Sequence, residues 1–451
     1  MFVMAEPIPN RRRPSRMNRT SLNRRARSLI VGASVAGLLA VSGCAQAGGG
    51  ALVRADVARA GVTPANTADG ATVVRSVAGR LLGPIDAEHE NGNVAYSPVS
   101  IAIALGMLRA GVQGDSAKQL DDLFGVDAAK LPGAMNATDH ALGALSGKPI
   151  KSDKRTIELS VANAVWAQKD ITWRQPFLAT LSADYGSGVR TLDFGHDPEA
   201  ARKTINGWVG DKTHNKIPEL IPEGVITRDT RLTLTNALYL KAPWATEFTS
   251  AGDGSFTTAT GSSVTSKRMR QDETMAYASG DGWQSVQIPY LGGKVAMTLV
   301  VPDKGRLDAV GRQLADPATM KTMLAPANPR SVTLTMPLFD VDAKTPLNDV
   351  LKSIGVTAPF APAPSDFAPM SNDPKIGSLA VTDVRHQATV TVDEQGTEAA
   401  AATSVTVGET SAQMPVDPVT LNVDRPFYFA ITTTADTLPL FVGRVTDPTV
   451  K

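Results

Sequence analysis

Five stretches of β-type sequence lie along this 451-residue chain with helical material between them, and that alternation limits the fold more than any other feature. IELSVANAVWAQ (157–168), RLTLTNALYLK (231–241), KVAMTLVVP (294–302), SVTLTMPLFDV (331–341) and ATVTVDE (388–394) show period-two or continuous apolar runs. VVRSVAGRLL (73–82) and ARKTINGWVGDKTHNKIPELI (201–221) have helical spacing. SIAIALGMLRAG (100–111) is an apolar helix opened by Ser97-Pro98 and closed by Gly111. No internal repeat occurs, and no linker interrupts the chain after residue 71. Residues 71–451 therefore read as one α+β domain, and 42% apolar residues suffice for a sizeable core.

The first 43 residues read as a signal peptide and not as structure. An Arg-rich stretch leads into an apolar run from Leu29 to Val41 that is too short to cross a bilayer comfortably. The only cysteine, Cys44, closes VSGC, which resembles a bacterial lipobox, where the thiol receives a diacylglyceryl group. The alternative is ordinary cleavage after Ala47, giving a secreted soluble chain. On either reading the protein is exported, as a cell-envelope lipoprotein or into the medium. With one cysteine it has no intramolecular disulfide. Residues 44–70 are Gly- and Ala-rich and read as a flexible tether. Removing residues 1–43 takes away eight arginines and one glutamate, so the formal net charge of +1 becomes −6. A mildly acidic body offers no footprint for nucleic acid.

Familiar catalytic patterns are missing from the body. It has neither Ser-x-x-Lys nor Gly-x-Ser-x-Gly, and no phosphate-cradling glycine loop. The five histidines show no metal-ligand spacing. The chain does not read as an enzyme, and it calls for no metal or cofactor.

Five segments, in order, resemble the serpin family. They are NVAYSPVSIAIALGMLRAGVQGDSAKQL (93–120), INGWVGDKTHNKIPELIPEGVITRDTRLTLTNALYLKAPWATEF (205–248), TLTMPLFDV (333–341), HQATVTVDEQGTEAAAAT (386–403) and RPFYFAITTTADTLPLFVGRVTDP (425–448). The resemblance implies three β-sheets, about nine helices and an exposed reactive loop that can enter the largest sheet. Serpin loop insertion is itself a standard instance of strand addition. It also implies a suicide inhibitor of serine proteases that works as a monomer. By the same resemblance Ser97, Ser100, Asn236 and His386 form a polar cluster beneath the point where the sheet opens, and Trp244 stands at the top of the opening.

The loop's own residues suit that behaviour. Its hinge is Glu394, Gln395, Gly396, Thr397, Glu398, Ala399, Ala400, Ala401 and Ala402. From Thr397 the chain alternates small or β-branched residues (Thr397, Ala399, Ala401, Thr403, Val405, Val407) with a second face that is polar beyond the alanines. Roughly a dozen new strand bonds at about 0.5–1.5 kcal/mol each would release on the order of 10 kcal/mol, comparable with a whole domain's stability. The family's spacing from Glu394 puts the scissile bond at Thr410-Ser411. The count back from Arg425 falls later, and Gln413-Met414 is the alternative, since a bond to Pro415 is a poor protease substrate. Thr410, Val407 and Met414 fit elastase-like or subtilisin-like pockets. No Lys or Arg lies between Gly396 and Arg425, which disfavours trypsin-like targets. Lys148, Lys151, Lys154 and Arg155 are interrupted by Asp153 and make a poor glycosaminoglycan site. Two rival readings stay open: a non-inhibitory serpin acting as carrier or chaperone, to which Gln395 is a mild pointer, and an unrelated envelope-anchored binding lipoprotein.

Overall fold

Helix α1 (Pro64–Glu88) begins at a Thr63 cap, where the Thr63 hydroxyl accepts from the Asn66 N–H and Asn66 Oδ1 accepts from the Thr63 N–H at 3.1 Å. Its buried stripe runs through Val73, Val74, Val77, Ala78, Leu81, Leu82 and Ile85. The computed structural model describes residues 50–146, 155–363, 365–373, 379–397 and 418–450. The other α-helices are α2 (Pro98–Arg109), α3 (Gly114–Phe124), α4 (Leu131–Gly143), α5 (Gln175–Tyr185), α6 (Pro198–Lys212), α7 (Leu307–Ala315), α8 (Pro317–Leu324) and α9 (Leu347–Ser353). Nine α-helices thus lie among the described residues, in line with the expectation.

The larger question is how the strands connect. One sheet runs in the order β1 (Ala51–Val53), β4 (Val189–Leu192), β3 (Glu158–Gln168), β5 (Leu232–Pro243), β13 (Gly396–Thr397), β12 (Val381–Val392), β11 (Phe339–Pro346). The other runs β14 (Val419–Asn422), β10 (Pro329–Pro337), β7 (Ser263–Gly280), β8 (Trp283–Pro289), β9 (Val295–Pro302), β15 (Phe427–Thr433), β16 (Pro439–Val445), β2 (Val94–Tyr96), with β6 (Thr249–Thr257) pairing to β7. Three sheets are expected; the described strands join into two hydrogen-bonded networks. The cause is β7, whose 18 residues pair with β6 and β10 before its end pairs with β8.

In the first sheet β5 is central and buried along nearly its whole length, so it reads as a continuous apolar run and not as an alternation. One core fills the space between the sheets and around α1 and α2. A smaller one lies under α6, where Ile205 and Val209 pack with Trp166 of β3 and with Phe194.

The tether reading is corrected for residues 50–70. Ala51–Val53 form an edge strand on β4, with Leu52 opposite Arg190. Arg59 reaches Asn136 Oδ1 and Asp139 at 2.8 Å, and the body helix starts at Pro64 and not at residue 71. Three strand residues and a single arginine fork have no sequence period, so nothing in the composition announces them.

Candidate functional site

The strands β5 and β12 run parallel and pair from Leu232 to Leu238, with His386 opposite Asn236 and Ala388 opposite Leu238. There the ladder ends. Above it β13 lies between the two strands and antiparallel to both, with Gly396 opposite Pro243, Thr397 opposite Ala242, and Thr397 opposite Val392. The main sheet is therefore parted at its upper end and already holds two residues of the hinge.

Backbone and side-chain bonds hold the hinge in that notch. Asp393 Oδ1 accepts from the N–H groups of Gln395 at 2.8 Å and Gly396 at 3.1 Å, and the Asp393 N–H donates to the Gly396 carbonyl at 3.0 Å. Burial raises the Asp393 pKa above the usual carboxylate value. Trp244 spans the turn: its Nε1–H donates to the Asp393 carbonyl and its N–H to the Gln395 carbonyl, both at 2.9 Å. The Phe248 N–H donates to the Glu394 carbonyl at 2.8 Å. Trp244 stacks on Tyr290 with ring centroids 4.4 Å apart, and the Tyr290 hydroxyl shares a 2.6 Å hydrogen bond with Thr397 Oγ1. Both rings are fully buried, and Thr397 is 1% exposed. A Cβ on Gly396 would stand 2.3 Å from the Ala242 carbonyl oxygen, so only glycine lets the hinge lie against β5.

Below the notch a polar cluster crosses the seam. Asn163 of β3, Asn236 of β5 and His386 of β12 stand in register on adjacent strands. The Asn236 amide donates to Ser100 Oγ at 2.7 Å and Asn163 Oδ1 at 3.0 Å, while the Ser100 hydroxyl donates to Asn163 Oδ1 at 2.6 Å. Ser97 caps α2 and sends its backbone N–H to His386 Nε2 at 2.9 Å. Because Nε2 accepts, Nδ1 carries the proton and donates to Asn236 Oδ1. The ring is neutral, and burial lowers its pKa to about 3. Every polar group of the cluster has a partner inside it, so parting the strands breaks a satisfied network.

The structure brings Ser97, Ser100, Asn236 and His386 together, and it adds Asn163, whose signal was a lone amide in the apolar run of β3. Trp244, Glu394, Gln395, Gly396 and Thr397 meet at the notch, joined by Asp393 and Tyr290, which sequence reasoning missed. Glu398, Ala399, Ala400, Ala401, Ala402, Thr410, Ser411 and Cys44 lie outside the described residues, as do Lys148, Lys151 and Lys154. Arg155 pairs with Glu247 at 2.5 Å and is not an open cation. Among the described residues no group of three or more His, Cys, Asp or Glu is placed to hold a metal, and no helix is long and apolar enough to cross a membrane.

A sheet parted over the base of a loop, with a polar gate below it, is the geometry of a protein built to accept another strand. Residues 72–448 match the family model described as "Serpin (serine protease inhibitor)". A serpin-like protein of Methanosarcina acetivorans is 30% identical over 363 residues, 80% of this chain and 82% of that protein. The leukocyte elastase inhibitor of Xenopus laevis is 29% identical over 376 residues, 82% and 96% of the two chains. The solved structure of Arabidopsis AtSerpin1 in its native stressed conformation superposes with a TM-score of 0.73 at 25% identity, covering 87% of this chain and all of that one. This chain belongs to the serpin family. The family is described as one of serine protease inhibitors, and its members are not enzymes.

Proposed function

We propose that this serpin is inhibitory and traps a serine protease of elastase-like or subtilisin-like specificity by loop insertion. The observation that carries the reading is β13: the hinge residues Gly396 and Thr397 already occupy the strand position between β5 and β12. The alanines that follow offer no bulk to oppose further entry. The target's serine hydroxyl attacks the Thr410 carbonyl, the Thr410-Ser411 amide breaks, the Ser411 amine leaves with a proton, and an ester joins Thr410 to the protease. Insertion of the freed segment then carries the ester away from its own hydrolytic machinery. Gln413-Met414 is the alternative bond. The name of the Xenopus relative, an elastase inhibitor, agrees with the small side chains of Thr410, Ser411 and Ala412.

The test is a panel of serine proteases mixed with the full mature chain. An SDS-resistant adduct with elastase or subtilisin, cut at Thr410 by mass spectrometry, is the expected result. Turnover at that bond with every protease and no adduct would make the protein a substrate only.

The same reading places the protein at the exported face of a bacterial envelope, held by lipid on Cys44, the single cysteine at the end of VSGC. Two or more acyl chains anchor a protein firmly where one is marginal. Labelled fatty acid should enter the wild-type chain and not Cys44→Ala, which should leave the membrane fraction. Retention of the variant without label would discard the anchor.

A further inference from the structure

We infer that residues 51–62 form a membrane-facing surface that lies against the lipid bilayer beside the anchor. The inference rests on lipidation of Cys44 and adds to it a fixed orientation of the protein. Among the described residues the exposed large apolar side chains are Leu52, Val57, Val62 and Val450, at 43%, 44%, 41% and 52%. Three of the four fall in one short segment, although the other described residues bury such side chains thoroughly.

The segment is fastened to the body. Ala51–Val53 pair with β4, the Ala55 N–H donates to Ser182 Oγ at 3.2 Å, and the Ala60 N–H donates to the Ala183 carbonyl at 2.9 Å. Arg59 is forked between Asn136 and Asp139, and the Asn136 amide returns a bond to the Ala60 carbonyl at 2.9 Å. Gly186 and Gly188 leave room for this strap: a Cβ at Gly188 would stand 2.3 Å from the Val53 carbonyl oxygen, and one at Gly186 would strike the Arg59 guanidinium. Its apolar side chains are thus presented from a fixed backbone.

Chain length selects the occupant. Six peptide units separate Cys44 from Gly50, and six residues span at most about 21 Å when fully extended. An acylated Cys44 sits at the bilayer interface, so Gly50, where the strap begins, is held within that distance of it. A second copy of the chain fits poorly: three half-exposed side chains fall far short of the roughly 1,000 Å² of a specific protein interface, and the free edge of β1 is three residues long. Three apolar side chains near a bilayer, with exposed Arg54 among them and exposed Asp56 limiting any purely electrostatic attraction, suit shallow interfacial insertion.

The single cysteine makes the test clean, because acylation consumes its thiol. Val57→Cys in the full acylated chain then carries the only free thiol and takes an environment-sensitive NBD label, with Val450→Cys as the comparison site. In vesicles of phosphatidylethanolamine and phosphatidylglycerol, iodide quenching of the label at 57 should fall about threefold, with little change at 450. Equal quenching at 57 with and without vesicles, in protein that stays vesicle-bound, overturns the orientation while the anchor stands. Equal shielding at both sites overturns it as well. Absence of fatty-acid label overturns the anchor itself, and the orientation with it. In unacylated Cys44→Ser protein, replacing Leu52, Val57 and Val62 together by serine should lower residual vesicle partitioning about tenfold at unchanged melting temperature. An unchanged partition, or a concentration-dependent dimer that the triple replacement abolishes, counts against the bilayer.

Discussion

The notch at the top of the main sheet and the polar gate below it guard the same seam with different chemistry. At the notch, the bonds run from fixed residues (Trp244, Tyr290, Phe248) to the hinge, and most are made to its backbone. At the gate, side chains from β3, β5, β12 and α2 satisfy one another across the seam, and none of the described hinge residues takes part. On the proposed inhibitory reading, the notch holds a strand that has begun to enter, while the gate holds the two strands that would still have to separate. A strand passing the gate would replace one parallel ladder by two antiparallel ones, and the His386 contacts would have to break before the new bonds form.

The largest effect should follow from breaking the notch. Thr397→Arg would bury a charge where Thr397 is now almost wholly covered, at a cost of several kcal/mol. The expected outcome on protease gels is unchanged cleavage with at least a tenfold loss of adduct, together with active protease in the products. Calorimetry after loop cleavage should show the wild type melting roughly 12 °C higher, as about 10 kcal/mol of new pairing implies at about 1.2 °C per kcal/mol for about 400 residues, and the variant gaining much less. A wild-type melting point unmoved by cleavage would remove the inhibitory reading.

Acid should act on the gate. The folded ring of His386 stays neutral down to about pH 3, whereas the unfolded chain takes up its proton near 6.5. Stability from this group is complete above pH 6.5 and is lost as pH falls from there toward 3, by up to about 1.4 kcal/mol per pH unit. Melting curves should show about 2 kcal/mol lost between pH 6.5 and 5, and His386→Gln should flatten that slope. A slope equal in variant and wild type would move the acid sensitivity elsewhere.

Asn163→Ala tests whether the gate needs its third strand. It strips a partner from the Asn236 amide and the Ser100 hydroxyl, at about 1–3 kcal/mol. A melting point a few degrees lower and faster spontaneous loss of inhibitory activity on warming are expected; an unchanged rate would confine the barrier to His386. The smallest effect belongs to Tyr290→Phe, which removes one bond to Thr397 and keeps the stack on Trp244, for about 1 kcal/mol. Hydrogen exchange at Thr397 should quicken while the gate amides keep their rates.

Legibility in the sequence followed the same division. The gate residues Ser97, Ser100, Asn236 and His386 sit inside long segments whose resemblance to the family identifies them, and the β-type runs of β3, β5, β9 and β12 are readable from their apolar pattern. Asn163 was visible only as one amide in an apolar strand, where either face could have received it. Asp393 and Tyr290 carry no pattern, because each matters through a contact with a segment distant in sequence or through a turn held by one carboxylate. Residues 50–62 were misread since Gly- and Ala-rich composition resembles a tether, and what fixes them is Arg59, Asn136 and room left by Gly186 and Gly188.

The strap also decides where mechanical load goes. A pull on the chain ahead of Gly50 falls first on the three pairs between β1 and β4 and then on the Arg59 fork. Between that edge and the seam stand β4, β3 and β5, the last two joined by a ten-pair ladder. Tension would peel that short ladder before it loads the ten-pair one. The outer strand would then act as a mechanical fuse, yielding under traction while the seam at His386 stays closed.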